Sequence, residues 1–363
     1  MAIQDHNLKL TEQQYRDLEL PSYSMLASID KQGLDVVGGV KQGFNLKFGS
    51  LVDMMCFEPH RVDDVFYQGA SVKPPTTNVK KICDVILSNF NGKVNETVEA
   101  VTPLGRRKSV KITNKLANYT AEILDAASKL QVYKNYSEQK TIDTVVSAGK
   151  EYFKDKITSR GKILIKPEMW LHASHTAATL ISHPYTAKYF ATGIPGVEII
   201  YQYKFDAVVN GRRCKGMLDC LIINHTAKVI IPVDLKTGES PCKDFPMLYT
   251  SHRYYIQGGL YREALKSIVD NDFELMGYDV RPFEFVYISK LNPGRPMIFT
   301  VSEDMHTASL NGFTDRFGYE YTGVYELLDQ YYYSVQNNNA DYTFDQSSNK
   351  GRVEMNFNTI TGV

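Results

Sequence analysis

Two neighbouring stretches decide the fold of this chain, Lys215-Gly-Met-Leu-Asp-Cys-Leu-Ile-Ile223 and Val229-Ile-Ile-Pro-Val-Asp-Leu-Lys-Thr-Gly238. Both are short runs of mostly apolar residues, which is the pattern of strands buried in a sheet. Each run nevertheless contains one aspartate, Asp219 in the first and Asp234 in the second. A hairpin of buried strands that carries two carboxylates is unusual, and these two residues are therefore the first candidates for a functional site.

The spacing of these residues predicts that their side chains meet. Alternate residues of a strand point to the same face, so Asp234 and Lys236 share one. A four-residue turn over 224–227 would place Asp219 opposite Pro232, on that same face and diagonal to Asp234. Because buried charges without partners are costly, we expect a divalent cation between the carboxylates. Hard oxygen ligands suit Mg²⁺ or Mn²⁺.

The chemistry that this group indicates is phosphodiester hydrolysis. A metal there would polarise a phosphate and lower the pKa of a bound water. Lys236 could position or deprotonate that water, or stabilise developing charge as a cation. The alternative is that Asp234 and Lys236 are merely strand-end residues on a solvated face, since Asp-x-Lys alone is common. The upstream Asp219 and the Thr237-Gly238 that follows make this alternative weaker.

Outward from the hairpin, the chain predicts a mixed α/β fold. Val197–Val209 alternates, with Ile199, Tyr201, Tyr203 and Phe205 expected on one face, and Asn210-Gly211 is a strong hairpin turn signal. Three successive strands therefore form an antiparallel meander. The remaining predicted elements are helices at 22–31, 48–57, 117–133, 167–189 and 253–269, and a strand at 283–290. The fold class expected is an α/β sandwich in which helices flank a central mixed sheet.

Composition limits the class of protein. The 363 residues include 41 basic and 41 acidic side chains, and this balance weakens any claim of extensive non-specific DNA binding. Five cysteines without a Cys-x-x-Cys pair argue against a disulfide framework and a zinc ribbon. No apolar run is long enough to cross a bilayer and the start does not resemble a signal peptide, so we expect no membrane partner and a cytoplasmic protein.

We interpret residues 1–363 as a single nuclease domain with two peripheral parts. Residues 71–115 combine Pro, Thr and Asn-Gly punctuation with an excess of Lys and Arg, and they predict a basic insertion or arm. Residues 335–363 are polar and rich in Asn, and they predict a peripheral tail.

Two motifs resemble a known superfamily. Gly216-Met-Leu-Asp219 together with Val233-Asp-Leu-Lys-Thr-Gly238 resembles the core of the PD-(D/E)XK nucleases, whose fold is that of restriction endonucleases. Further on, Arg253-Tyr-Tyr-Ile-Gln-Gly-Gly-Leu-Tyr261 resembles the Gln-x-x-x-Tyr helix of the RecB branch. Gln257 and Tyr261 are four residues apart and so share a helix face. The resemblance implies that this helix packs beside the active site.

Within that branch the chain is most similar to phage exodeoxyribonucleases of the RecE type. Phe48-Gly-Ser-Leu-Val-Asp-Met-Met-Cys-Phe-Glu-Pro59 resembles a helix whose histidine ligates metal in that family, and this position is Asp53 here. Asp53 could keep the ligand role, or it could simply stabilise a helix N-terminus. Glu198 follows a similar run after His183-Pro184, and it could join the metal shell or mark an exposed strand start.

The resemblance implies a Mg²⁺- or Mn²⁺-dependent exonuclease that degrades double-stranded DNA from 5′ to 3′ in phage-type recombination. It assigns Asp219, Asp234 and Asp53 as metal ligands, Lys236 as the catalytic lysine, and Gln257 and Tyr261 as supporting catalytic residues. It also implies a ring-shaped homo-oligomer and a single-strand annealing protein as a partner, in the host cytoplasm if the protein is viral. An endonuclease or nickase with the same centre, and an inactive DNA-binding protein of the same fold, are the alternatives.

Overall fold

The computed structural model describes residues 3–33, 46–69, 75–90, 95–101 and 107–337. The chain divides into two compact units, one formed by residues 1–58 with 175–363 and the other by residues 59–174. The prediction of one nuclease domain over the whole chain stays a prediction.

Helices and strands occur in both units. The helices in chain order are α1 (Glu12–Arg16), α2 (Tyr23–Gln32), α3 (Leu46–Phe57), α4 (Val62–Val65), α5 (Thr77–Ser88), α6 (Thr120–Lys129), α7 (Glu138–Thr158), α8 (Pro167–Ser182), α9 (Phe245–Ser251), α10 (Tyr254–Asn271), α11 (Glu303–Asn311) and α12 (Val324–Asn337). The strands are β1 (Phe66–Gln68), β2 (Asn95–Val101), β3 (Arg107–Thr113), β4 (Ile163–Ile165), β5 (Val197–Val209), β6 (Arg212–Asn224), β7 (Val229–Gly238), β8 (Asp279–Val280), β9 (Glu284–Ser289), β10 (Asn292–Thr300), β11 (Phe313–Thr314) and β12 (Glu320–Tyr321).

The first unit is built on a six-stranded mixed sheet with helices around it. The strand order is β10-β9-β7-β6-β5, and β8 also pairs with β7. Strands β5, β6 and β7 form the antiparallel meander that the sequence predicts, whereas β8 and β9 lie parallel to β7. The expected mixed α/β class, with a central mixed sheet flanked by helices, is therefore confirmed.

One apolar core holds this sheet to α10. Leu221 and Ile223 of β6 and Ile230 of β7 pack in the same cluster as Ile256 and Leu260 of α10, and all five are buried. Apolar burial of this kind is the main favourable contribution to folding. It fixes α10 against the meander and so sets the position of Gln257.

The pairing of β6 with β7 differs from the sequence-based expectation. The turn comprises residues 225–228 and not 224–227, because Asn224 pairs with Val229 and its Oδ1 accepts a hydrogen bond from the Ala227 N–H. The register therefore shifts by two, and Leu221, not Asp219, pairs with Pro232. Alternate residues of a strand share a face, so a shift of two residues leaves the prediction that the two aspartates share a face unchanged.

The predicted alternation of β5 is also interrupted. Gln202 has a left-handed backbone, with φ of 50°. Beyond it, Tyr203 and Phe205 are buried in the main core, whereas the Tyr201 ring packs on Phe57 of α3, 5.2 Å between centroids. The expectation that Tyr201, Tyr203 and Phe205 form one continuous face was therefore wrong, because one left-handed residue changes the strand direction.

The second unit contains a small helical core and two pairs of strands. Helices α5, α6 and α7 bury Ile82, Ile123, Val145 and Phe153 together. Strands β2 and β3 pair antiparallel, and β1 and β4 pair parallel. The predicted basic arm at 71–115 falls within this unit and includes α5, although residues 71–74, 91–94 and 102–106 lie outside the described residues. Most of the predicted tail, residues 338–363, lies outside them as well.

Candidate active site

Asp234 lies at the centre of the predicted site. Its side chain is almost completely buried, since the residue is 2 % exposed on β7. The Lys236 ammonium forms an ion pair with Asp234 Oδ2, and the Gln257 amide on α10 donates a hydrogen bond to Oδ1. The structure therefore brings together the Asp-x-Lys pair and the glutamine of the predicted motif helix.

Asp219 lies beside this pair, where the β6–β7 ladder ends. The last paired residues are Cys220 and Val233, so one step further along the same register aligns Asp219 with Asp234. Beyond this pair, the Asp219 carboxylate replaces a backbone carbonyl as the acceptor: its Oδ2 accepts a hydrogen bond from the Leu235 N–H at 2.9 Å. The aspartates thus meet at one end of the hairpin.

Asp53 approaches from the neighbouring helix. It is the eighth residue of α3, so its alternative role as a charge at the helix N-terminus was wrong. Its Oδ1 is buried and has no hydrogen-bond partner among the described residues. Four residues earlier, Gly49 faces β7 so closely that a Cβ there would lie 3.1 Å from Thr237 Oγ1. Residues four apart share a helix face, so this close approach directs Asp53 towards the sheet.

Burial and mutual repulsion shift the pKa values of these groups. Burial and the Asp234 charge raise the pKa of Asp219 to about 7, against the opposing effect of Lys236. Burial and the Asp219 charge raise the pKa of Asp53 well above its ordinary value. For Lys236, burial lowers the pKa but the charges of Asp234 and Asp219 outweigh it, and the net shift is upward. Three carboxylates therefore compete for one ammonium.

Tyr261 supports the site from one helical turn beyond Gln257. Its hydroxyl accepts a hydrogen bond from the backbone of Met217, two residues before Asp219. Its ring packs edge-on against Phe205, with centroids 5.6 Å apart. A Cβ on Gly216 would lie 2.8 Å from Tyr261 Cε1, so only glycine there permits this contact. Tyr261 thus holds β6 against α10 and makes no described contact with Lys236.

Three further residues at the site were missed by sequence reasoning. The Lys236 ammonium lies 5.0 Å from the centroid of the Tyr254 ring, a cation–π arrangement. Tyr254 is three residues before Gln257, and this helical spacing could have identified it. Tyr23 of α2 is close enough for the charge of Lys236 to oppose the rise in the pKa of its hydroxyl, which burial causes. Gln202, the third, contacts Asp219 and has no signal in the sequence.

A cavity of about 700 Å³ lies on the Tyr23 side of the centre, and Tyr15, Lys215, Met217 and Tyr261 also line it. Its size is within the range of small-molecule binding clefts, roughly 300–1,000 Å³. Asp53, Asp219, Asp234 and Lys236 are not among the residues that line it.

Glu198 is not brought to this group. It lies near the start of β5, and its carboxylate is 3.3 Å from His225 Nε2, in the turn between β6 and β7. Gln202, the β5 residue that contacts Asp219, is four positions further along the strand. Four residues of strand span roughly 13 Å.

The donor set suits a hard divalent cation in chemistry. Asp219, Asp234 and Asp53 offer carboxylate oxygens, and the unpaired Asp53 Oδ1 is the kind of buried atom that a cation would satisfy. Among the described residues, however, no group of three or more His, Cys, Asp or Glu side chains is already arranged to hold a metal. Both Asp234 oxygens are engaged, by Lys236 and by Gln257. Each of these oxygens keeps a further lone pair that a metal could use.

The sequence matches no family model and no curated protein. The solved structures that are similar to this chain include two at 14 % identity. One is a candidate exonuclease from Eubacterium rectale, with a TM-score of 0.44 and 98 % of each chain covered. The other is SSO0001, with a TM-score of 0.21 over 64 % of this chain and 82 % of that one.

No helix in the described part of the chain combines the length and apolarity needed to cross a membrane.

Proposed function

We propose that the chain is a metal-dependent deoxyribonuclease of the PD-(D/E)XK superfamily. The observation that carries the proposal is the buried ion pair of Asp234 with Lys236 beside Asp219 of the adjacent strand, with Asp53 of α3 near enough for the charges of this group to act on its carboxyl. Such an arrangement is costly for a purely structural site, because like charges in a low-dielectric interior repel strongly. The cost is understandable if a cation is to be held there.

In this proposal Asp219, Asp234 and Asp53 would hold the metal. The metal, when bound, supplies Lewis-acid polarisation of a phosphate and a lowered pKa for a water. The chain itself fixes the ligand directions: the Leu235 N–H holds one Asp219 oxygen, and Gln257 holds one Asp234 oxygen. Glu198 is not included, because its carboxylate faces His225.

Lys236 would act as a cation at the reaction centre. Neighbouring carboxylates raise its pKa in the metal-free protein. As a cation, the side chain could donate to an oxygen that gains negative charge. The Tyr254 ring beneath the ammonium and the ion pair with Asp234 limit its movement.

The finer proposal is a double-strand exonuclease that proceeds from 5′ to 3′ and serves phage-type recombination. It rests on the resemblance of Phe48–Pro59, and of His183-Pro184 followed by Glu198, to RecE-type exodeoxyribonucleases. The same resemblance supports a ring-shaped homo-oligomer and a single-strand annealing protein as a partner.

Digestion of three DNA substrates tests this proposal: linear duplex labelled at the 5′ end, the same duplex labelled at the 3′ end, and a covalently closed circle. We expect early loss of the 5′ label, late loss of the 3′ label and an intact circle in Mg²⁺. Cleavage of the circle would replace the exonuclease by an endonuclease. Absence of cleavage of all three with Mg²⁺ and with Mn²⁺ would overturn the nuclease proposal.

A further inference from the structure

Gln202 occupies an unusual position in the meander. It lies in the middle of the 13-residue strand β5, yet its φ of 50° is in the left-handed region. A residue with a Cβ pays a conformational cost there, and Gln is not among the residues that tolerate it well. Such a conformation persists only when surrounding interactions hold it in place.

The pairing of β5 with β6 marks the same point. Residues on both sides follow one register, from Tyr201 with Cys220 to Tyr203 with Leu218. Between these pairs, Gln202 would face Asp219, but the two do not form a regular backbone pair. The local break in the ladder therefore coincides with the proposed metal ligand.

At this break, the alternation of side chains that face the main core changes in both strands. In β6 the residues that join the main core are at even positions up to Leu218 and at odd positions from Leu221 onward. In β5 Tyr203 belongs to that core, while Tyr201 packs on Phe57 of α3. Phe57 is one helical turn after Asp53, so the break also guides the contact of β5 with the helix that carries the third carboxylate.

The side chain of Gln202 uses the break to reach Asp219. Its Nε2 lies 3.4 Å from Asp219 Oδ1, while the other carboxylate oxygen is held by the Leu235 N–H. The side-chain amide of Gln202 in β5 thus contacts one oxygen of the Asp219 carboxylate, and the backbone amide of Leu235 in β7 contacts the other. An amide donor next to a metal-binding carboxylate fixes the rotation of that carboxylate and leaves its remaining lone pairs aimed in one direction.

We propose that Gln202 is a positioning residue for Asp219, and that its left-handed backbone serves to aim its amide at that carboxylate. The inference rests on the proposed metal centre, since it assigns Gln202 a purpose in orienting one of its ligands. It predicts that removal of the amide weakens metal binding, and that removal of the amide together with the backbone strain does so without weakening the fold.

Calorimetric titration of the full-length protein with Mn²⁺ alone, together with its melting temperature in EDTA, tests the inference. Gln202→Gly removes the amide and the backbone strain together, since glycine adopts positive φ freely. Gln202→Met keeps the length of the side chain and the strain but removes the donor. Asn210→Gly is the matched control, because Asn210 is also left-handed, with φ of 48°, but lies in the β5–β6 turn.

We expect Gln202→Gly and Gln202→Met to bind Mn²⁺ about tenfold or more weakly than the wild type, the usual effect of losing an outer-shell partner. Asn210→Gly should bind like the wild type, and Gln202→Gly should melt no lower than it. Wild-type affinity in both Gln202 variants would overturn the inference and leave the metal centre intact. Lack of Mn²⁺ binding by the wild type itself would overturn the metal centre and this inference with it.

Discussion

The Gln257 side chain donates its amide hydrogen to Asp234 Oδ1, and the carbonyl oxygen of the same amide is buried without a hydrogen-bond partner among the described residues. The glutamine therefore acts on Asp234 as a donor only. A buried carboxylate without such a donor would depend on Lys236 alone for stabilisation.

Gln257→Leu should destabilise the metal-free protein. Loss of a hydrogen bond to a charged group costs about 1.5–3 kcal/mol, and removal of the unpaired carbonyl offsets part of this. We expect a net loss of about 1 kcal/mol in the free energy of unfolding, measured by urea titration in EDTA. A variant as stable as the wild type would show that the amide does not stabilise Asp234.

Lys236 and Asp234 should depend on each other for stability. Lys236→Met leaves a buried carboxylate without its cation, a change that typically costs about 3–5 kcal/mol. Asp234→Asn added to Lys236→Met removes that charge and should recover most of the loss. Urea titrations of the two single variants and the double variant at pH 7 give the coupling energy. Additive losses in the double variant would contradict a direct ion pair.

Stability should depend on pH through Asp219. Because the folded-state pKa of Asp219 is raised to about 7, folding disfavours its ionised form. The unfolded chain ionises near pH 4, so the metal-free wild type should lose stability relative to Asp219→Asn as pH rises from about 4 to about 7. Urea titrations in EDTA at pH 5 and pH 7.5 measure this difference. A difference that does not change with pH would mean that Asp219 is not strained by its surroundings.

Gly216 should not tolerate a side chain. A Cβ at this position would lie 2.2 Å from Phe205 Cζ and 2.8 Å from Tyr261 Cε1. We expect Gly216→Ala to cost about 1–3 kcal/mol, as overpacking of cores does. Gly294→Ala is the control, since the nearest atom to a Cβ there, Asn292 Oδ1, is 3.8 Å away. Equal melting temperatures for the two variants would contradict the close packing of α10 on β6.

The central fold was predictable because its signals are local. The apolar runs around Asp219 and Asp234, and the Asn210-Gly211 turn, gave strands β5 to β7 to within one or two residues of their bounds. The two-residue pairing error arose because either Asn224 or His225 could begin the turn, and the Asn224 side chain decides this through its hydrogen bond to Ala227. Sequence spacing does not reveal such a choice.

Other features depend on contacts between distant parts of the chain. Helix α7, 21 residues long, was missed since most of its residues are polar and few of them are buried. The contact of Gln202 with Asp219 follows from the left-handed backbone of Gln202. The sequence does not predict this conformation, because the position is not occupied by Gly or Asn, the residues that usually adopt it. The approach of Asp53 depends on the packing of α3, which the sequence suggested only through the resemblance of its motif.

Release of acid-soluble nucleotides from linear duplex DNA tests the central claim most directly. The wild type, Lys236→Ala and Asp219→Asn would be compared in Mg²⁺, with EDTA as the blank. We predict release by the wild type in Mg²⁺ only, and rates at least about 100-fold lower for both variants, as expected when a charge-stabilising group or ligand is lost. Equal release by the wild type and Lys236→Ala, or none by the wild type with Mg²⁺ or Mn²⁺, would contradict the assignment of this centre.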